Sequence, residues 1–235
     1  MKCLWLTRPE ADSVSMAAEL AAHGIETCIA PVMRIAPLKL DPVPHAPDAL
    51  LVTSRHAVHA LQPSWQHLPV FCVGEATAEA VREMGFHHVH LGDGDALSLL
   101  RAITYTLPQD TQLLYLSGAE IQLDPAPLLA AKQITCTRAI VYDAVAEATL
   151  PSFLRMRLAA GEIDAVALFS ARSAQLTCRL LQEEGLATQA AGLDAYCLSL
   201  AVAQAAAALP WRSMHVAHMP TRETFVAMLA GRIAS

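Results

Sequence analysis

Short apolar runs of strand type alternate with stretches of Ala, Leu and Glu at helical spacing along the whole chain. CLWLT is followed by AAELAAHG, DALLVTS by HAVHAL, VFCVG by ATAEAVREMG, and DAVALFS by ARSAQL. Strands that alternate with helical segments predict an α/β protein built on parallel sheets.

The pattern also repeats itself, and two kinds of unit each occur twice. The first is a strand, a helix and a strand: CLWLTRPE with AAELAAHGIETCIAPVM, echoed by LLYLSGAE with LLAAKQITCTRAIVY. Thr7 falls on Ser117, Glu10 on Glu120 and Ile25 on Ile134. The second begins with DALLVTSRHAVHAL, continues through VFCVGEATAEAVREMG and closes with HVHLGDGDALSLLRAI. Its echo is DAVALFSARSAQL, AYCLSLAVAQAAAALP and MHVAHMPTRETFVAMLAGRI.

Each pair of units supplies five strands, enough for a small doubly wound sheet. Pattern alone permits two pairings. Either each first unit joins the second unit that follows it, or the middle block forms one domain while the two chain ends close into the other. The runs ETCIAPVMRIAPL and TCTRAIVYDAVA are too long for one small sheet and suit a two-stranded connector, which favours the second pairing. That arrangement puts residues 1–36 and 146–235 in a discontinuous domain and 37–145 in a contiguous one. The proline-rich DPVPHAPD reads as an extended linker. A ligand cleft between the two sheets is expected.

Both copies of the second unit end a strand on a hydroxyl, Thr53-Ser54 in one and Phe169-Ser170 in the other, and then turn into a helix. A serine there can cap the helix. Together with the free N–H groups of the first turn it can also face an anion at the carboxyl end of the sheet. Related turns occur at Gly74-Glu75-Ala76-Thr77, at Thr7-Arg8-Pro9-Glu10, at Ser117-Gly118 and, in weaker form, at Ser199. Arg8, Arg55 and Arg172 add cations near three of these turns. Tyr142 ends a strongly apolar strand, where a phenol can donate a proton or a hydrogen bond into the cleft.

Composition narrows the function. A hydrophobic share of 54% in 235 residues is ample for a buried core. A net charge of −6 without any basic block argues against nucleic acid as a partner, so an anionic ligand has to be held by local groups. No run approaches a membrane span, and the start of the chain lacks the apolar core of a secretory signal, so a cytoplasmic protein is expected. The six cysteines form no C-x-x-C pair and read as buried thiols. The groups His56-x-x-His59 and His87-His88-x-His90 lack acidic or thiol partners at ligand spacing and read as surface or loop residues. The HLGDGD turn has too few glycines for a dinucleotide fingerprint and no Lys-Ser/Thr for a P-loop. There is no G-x-S-x-G elbow, and no cofactor or metal is implied.

LTRPEADSVSMAAELAAHGIETCIAPVMRI, LLVTSRHAVHAL, VFCVGEATAEAVREMGF, RAIVYDAV and DAVALFSARSAQ, taken in order and spacing, resemble the uroporphyrinogen-III synthase family. The specificity lies in the ordered set, which covers nearly the whole chain, because each motif alone is common. The resemblance implies two α/β domains joined by a two-stranded connector, with one domain built from both chain ends. It implies conversion of the linear tetrapyrrole hydroxymethylbilane to uroporphyrinogen III, with loss of water, closure of the macrocycle and inversion of ring D through a spiro intermediate. No metal or cofactor takes part.

By the same resemblance Tyr142 assists departure of the terminal hydroxyl. The turns at Thr7, Arg8, Thr53, Ser54, Arg55, Gly74, Thr77, Ser117, Gly118, Ser170 and Ser199 hold a substrate that carries eight carboxylates. The second-copy turns depart from the family pattern at Phe169-Ser170 and from Ser199 to Ala203. A monomer is expected, with transient contact to hydroxymethylbilane synthase and none to membranes or nucleic acid. The rival reading is a cytoplasmic two-domain sensor that binds a small acid without turnover. A third is a member of this fold that has lost activity and serves as an interaction module.

Overall fold

The computed structural model describes residues 3–92, 96–121 and 123–233. In chain order the elements are β1 (Leu4–Leu6), α1 (Glu10–Ala21), β2 (Thr27–Ile29), β3 (Met33–Pro37), β4 (Ala49–Val52), β5 (Val70–Cys72), α2 (Glu75–Glu83) and β6 (Val89–Leu91). There follow α3 (Ala96–Thr106), β7 (Gln112–Gly118), α4 (Ala126–Ala130), β8 (Thr135–Ala146), α5 (Ser152–Ala159), β9 (Ala165–Leu168) and α6 (Ala171–Glu183). The last four are β10 (Asp194–Cys197), α7 (Leu200–Ala206), β11 (Ser213–Val216) and α8 (Arg222–Ile233). The Asp93-Gly94-Asp95 part of the HLGDGD turn lies outside the described residues.

The chain divides into two compact units, residues 1–34 with 145–235, and residues 35–144. In the first unit the strand order is β11-β10-β9-β1-β2, and every pair is parallel. The chain winds outward one way through β1 and β2 and the other way through β9, β10 and β11. Its switch point, where ligands collect in open parallel sheets, therefore lies between β1 and β9. In the second unit the order is β3-β8-β7-β4-β5-β6, with parallel pairing through β8, β7, β4, β5 and β6. The switch point there lies between β4 and β7. β3 and β8 are neighbours in this sheet, and the division between the units falls within both of them.

Alternation of side chains explains why the strands read as continuous apolar runs. In the second unit Leu50, Val52, Val70, Cys72, Leu114 and Leu116 pack on one face. Ala49, Leu51, Phe71, Leu113 and Tyr115 pack on the other. Helices cover both faces, so neither phase of the alternation can be polar. The first unit follows suit. Leu4, Leu6, Ala165 and Ala167 pack with Met16 and Leu20 of α1 and Phe225 and Leu229 of α8. Trp5, Val166 and Leu168 on the opposite side are fully buried. Trp5 also donates its indole N–H to the Ala30 carbonyl at 2.7 Å, so a large apolar ring is buried with its one polar atom satisfied.

Three local expectations are corrected. The run ETCIAPVMRIAPL is not one strand: β2 ends at Ile29, and β3 starts at Met33 in the other sheet. Pro31 sits in the break, where its missing N–H cannot serve a ladder. The stretch after Ser54 winds into a 3-10 helix, Arg55–Ala60, while its counterpart after Ser170 is a 13-residue α-helix. Pro63 biases the residue before it away from helix and stops the shorter segment. The echo of the 12-residue α1 shrinks to the five residues of α4, because Pro125 and Pro127 delay its start.

Candidate active site

A cleft of about 560 Å³ opens in the second unit at the carboxyl ends of β4, β5 and β7, on that unit's switch point. Its apolar wall includes Leu51, Val73, Leu99, Leu100, Ile121 and Leu123. Its polar groups include Thr53, Ser54, Tyr115, Glu120 and Tyr142.

Tyr142 reaches the cleft through a change of register. β7 and β8 pair in step from Gln112↔Thr135 to Ser117↔Ile140, and then Gly118 lies opposite Tyr142, leaving Val141 as an extra residue. Strict alternation would put Val141 and Tyr142 on opposite faces. With the bulge, Val141 is fully buried in the cluster against which Tyr142 also packs. The ring then lies directly on Gly118, where an added Cβ would stand 2.6 Å from Cε2 and Cζ of Tyr142 and 2.9 Å from its hydroxyl. The Ala119 N–H donates to the Tyr142 carbonyl at 2.9 Å and locks the backbone at this point.

Arg138 secures the end of β7. Its guanidinium donates to Ser117 Oγ at 2.8 Å and to the carbonyls of Gly118 and Ala119, each at 2.7 Å. The Ser117 hydroxyl in turn donates to the Gly118 carbonyl at 3.1 Å, so this buried side chain is committed to the strand end.

A second phenol, Tyr115, meets Thr53 Oγ1 at 3.1 Å across β4 and β7. Burial pushes the Tyr115 phenol above its ordinary pKa, against the opposing pull of the Thr53 hydrogen bond. It therefore stays protonated and works as a hydrogen-bonding group. Ser54 accepts the His56 N–H at 3.3 Å and so caps the 3-10 helix. Arg55 begins that helix and is half-buried. Gly74 is the N-cap of α2, and because glycine has no side chain the first turn receives no side-chain cap. Its N–H groups remain the anion-ready kind, while Thr77, one turn in, is buried.

In the first unit the expected site residues are drawn into structural work. Thr7 is fully buried and donates its hydroxyl to the Ala167 carbonyl at 2.7 Å, across the switch point. Arg8 pairs with Asp12 at 2.9 Å and lies 5.1 Å over the Phe169 ring. Ser170 caps α6 in a reciprocal box with Ser173. Ser199 caps α7 through the Val202 N–H at 3.4 Å. All six cysteines are free; five are buried and Cys136 is half-buried.

Sequence reasoning misses three residues. Tyr115 is hidden in an apolar strand, Arg138 lies on a strand that otherwise reads as apolar, and His56 reads as a surface residue. The structure instead packs the half-buried His56 ring against Tyr142, 5.6 Å between centroids at 65°.

The family model described as "HEM4: Uroporphyrinogen-III synthase HemD" matches residues 14–227. The chain belongs to the uroporphyrinogen-III synthase family. It is thus a cyclising lyase of tetrapyrrole biosynthesis, acting on hydroxymethylbilane. Uroporphyrinogen-III synthase structures share its fold. The crystal structure of the synthetase from Helicobacter pylori 26695 superposes with a TM-score of 0.63 at 16% identity, covering 99% of this chain and 100% of that one. A mutant uroporphyrinogen III synthase from the extremely thermophilic bacterium Thermus thermophilus gives 0.50 at 18% identity, covering 100% and 98%. A comparison with curated proteins returned no match. Nothing in the fold or these comparisons favours a non-catalytic sensor. Among the described residues no helix is long and apolar enough to cross a membrane.

Proposed function

We propose that the cleft of the second unit is where this synthase removes water from hydroxymethylbilane, with Tyr142 as the proton donor. The observation that carries this reading is the seat of Tyr142: a bulged strand and a side-chain-free Gly118 aim one phenol into a cleft at the switch point.

The terminal hydroxyl of the bilane leaves as water when its oxygen gains a proton, and the remaining methylene is electrophilic because the ring A pyrrole shares the charge. Tyr142 donates into that departing oxygen. The substituted α-carbon of ring D then attacks the methylene, giving a spiro centre. The older bond from ring D to its neighbouring bridge breaks and re-forms at the other α-carbon. Loss of the proton from ring D restores the aromatic pyrrole and closes the macrocycle with ring D inverted.

Apolar walls around the cleft suit pyrrole faces and exclude water that would trap the electrophile. Substrate carboxylates are held at the strand-end turns. Uncapped N–H groups at Gly74 and the hydroxyls of Thr53 and Ser54 supply neutral donors, as an acidic protein requires. Arg55 and Thr77 support these turns, and Ser117 and Gly118 shape the seat of Tyr142. The turns of Thr7, Arg8, Ser170 and Ser199 contribute through backbone N–H groups, since their side chains are engaged within the unit. Because the bilane also closes unaided to the uninverted isomer, the main task is steering ring D. The same instability favours delivery of the bilane through brief contact with hydroxymethylbilane synthase, and the protein is taken to act as a cytoplasmic monomer.

The direct test supplies hydroxymethylbilane, generated in place by its synthase, and separates the oxidised products as uroporphyrins I and III. Predominant isomer III is expected. Isomer III formed by Tyr142→Phe at the wild-type rate would overturn the reading.

A further inference from the structure

His56 stands between the hydroxyl turn of β4 and the phenol of β8. Its ring Nδ1 lies 3.2 Å from Ser54 Oγ, and its peptide N–H donates to the same oxygen at 3.3 Å. Two contacts to one hydroxyl fix both the backbone and the ring of His56. The His56 and Tyr142 rings meet at a centroid distance of 5.6 Å and an interplanar angle of 65°, the T-shaped geometry favoured by ring quadrupoles. The space over Gly118 receives the Tyr142 ring at another contact. Held by Gly118 and by His56, the phenol has little freedom to leave the cleft.

The 3-10 winding of this segment matters here. With three residues per turn, His56 and His59 eclipse along one side of the helix. His59 Nδ1 lies 2.8 Å from the His56 carbonyl, and its Nε2 lies 3.4 Å from the Leu38 carbonyl. His59 thus ties the segment that carries His56 to the chain just beyond β3. An α-helix with the same N-cap would rotate each successive side chain by about 100° instead of about 120°, carrying the His56 ring away from this contact.

We propose that His56 is a positioning residue for the reaction, holding the Tyr142 phenol at the departing hydroxyl through ring packing anchored on Ser54. This rests on the reading of Tyr142 as proton donor. It predicts a loss in turnover and not in binding, because His56 acts on the orientation of another residue.

The test is a double-mutant cycle with steady-state kinetics on hydroxymethylbilane. His56→Ala is expected to lower kcat by about three- to ten-fold, the range of a lost aromatic pair, with KM within about two-fold. His56→Phe, which keeps an aromatic ring against Tyr142, is expected to recover most of kcat. In the Tyr142→Phe background, His56→Ala is expected to add nothing. Should the alanine variant fold poorly, His56→Gln removes the ring while keeping polar reach to Ser54, and the same losses are expected.

Wild-type kcat in His56→Ala beside a slow Tyr142→Phe overturns the positioning role while leaving Tyr142 in place. So do losses that multiply in the double variant, or a rise in KM alone. Wild-type kcat in Tyr142→Phe overturns the proton-donor reading, and the positioning role with it.

Discussion

Gly118 and Tyr142 face each other across the register shift of β7 and β8, and the tyrosine ring occupies the volume that any Cβ at position 118 would need. The glycine is required by its neighbour, since its φ is not in the left-handed region. Gly118→Ala is therefore expected to push the phenol out of its seat, costing about 1–3 kcal/mol of stability as overpacking does, together with turnover. Tyr142→Ala in the same chain removes the clash. Urea denaturation should then show the double variant losing less than the sum of the two single losses, while activity stays low. A Gly118→Ala protein with normal stability and turnover would contradict the packing.

Tyr142→Phe keeps the ring over Gly118 and deletes only the hydroxyl. Folding stability should be nearly unchanged, turnover should fall, and affinity for the product should stay within a few-fold, because the phenol acts on the leaving hydroxyl. Product titration beside steady-state rates separates these effects. Unchanged turnover would remove Tyr142 from the chemistry.

How much of this is legible without the structure depends on which interaction decides each feature. The strand Thr135–Ala146 is visible as a long, mostly apolar run interrupted by Arg138 and Asp143, and the doubly wound sheets follow from alternation and duplication, because both depend on burial of local sequence. The break at Pro31 is also written in the chain but outweighed by the apolar residues around it. The bulge beside Gly118 is not legible, since register is set by the partner strand. His56 looks like a solvent-facing histidine in an alanine-rich turn until Tyr142, distant in the chain, is placed beside it. At Thr7 the turn is recognisable and the direction of the hydroxyl is not: it points to Ala167 of a strand far away in sequence.

The Thr53–Tyr115 bond gives a further expectation. Thr53→Val keeps the shape of the side chain but leaves the hydroxyl of a tyrosine that is only 4% exposed without this partner, which should cost about 1–3 kcal/mol. Tyr115→Phe in the same protein removes the orphaned group and should restore part of the loss. If Thr53→Val matched the wild type in thermal and urea unfolding, the bond would carry no stability.

Gly74 differs from Gly118. Nothing lies within 4 Å of a Cβ built there, and its backbone, at φ −126° and ψ 151°, is open to any residue. Gly74→Ala should thus leave the protein folded, at a cost of about 1 kcal/mol because alanine is a poorer N-cap than glycine. A loss of product affinity in that variant would locate ligand at the turn, because only a ligand could meet the new methyl group. Unchanged affinity, measured by titration, would take the Gly74 turn out of the binding surface.

Asp194, in the first unit, supplies a pH test. Arg212 reaches it with two hydrogen bonds, at 2.9 and 2.6 Å, and Ser213 donates to it at 2.6 Å. These partners, Arg212 foremost, hold the carboxyl below its ordinary pKa, against the smaller opposing effect of burial. A carboxyl that binds its proton less readily when folded stabilises the protein above its unfolded pKa. That contribution is lost as pH falls through the depressed folded value. The urea midpoint of the wild type should therefore exceed that of Asp194→Asn at neutral pH, and the gap should narrow as the pH is lowered past the ordinary carboxylate range. A gap that stayed constant down to strongly acidic pH would mean that Asp194 stabilises the β10–β11 edge through packing and neutral hydrogen bonds, with no contribution from its charge.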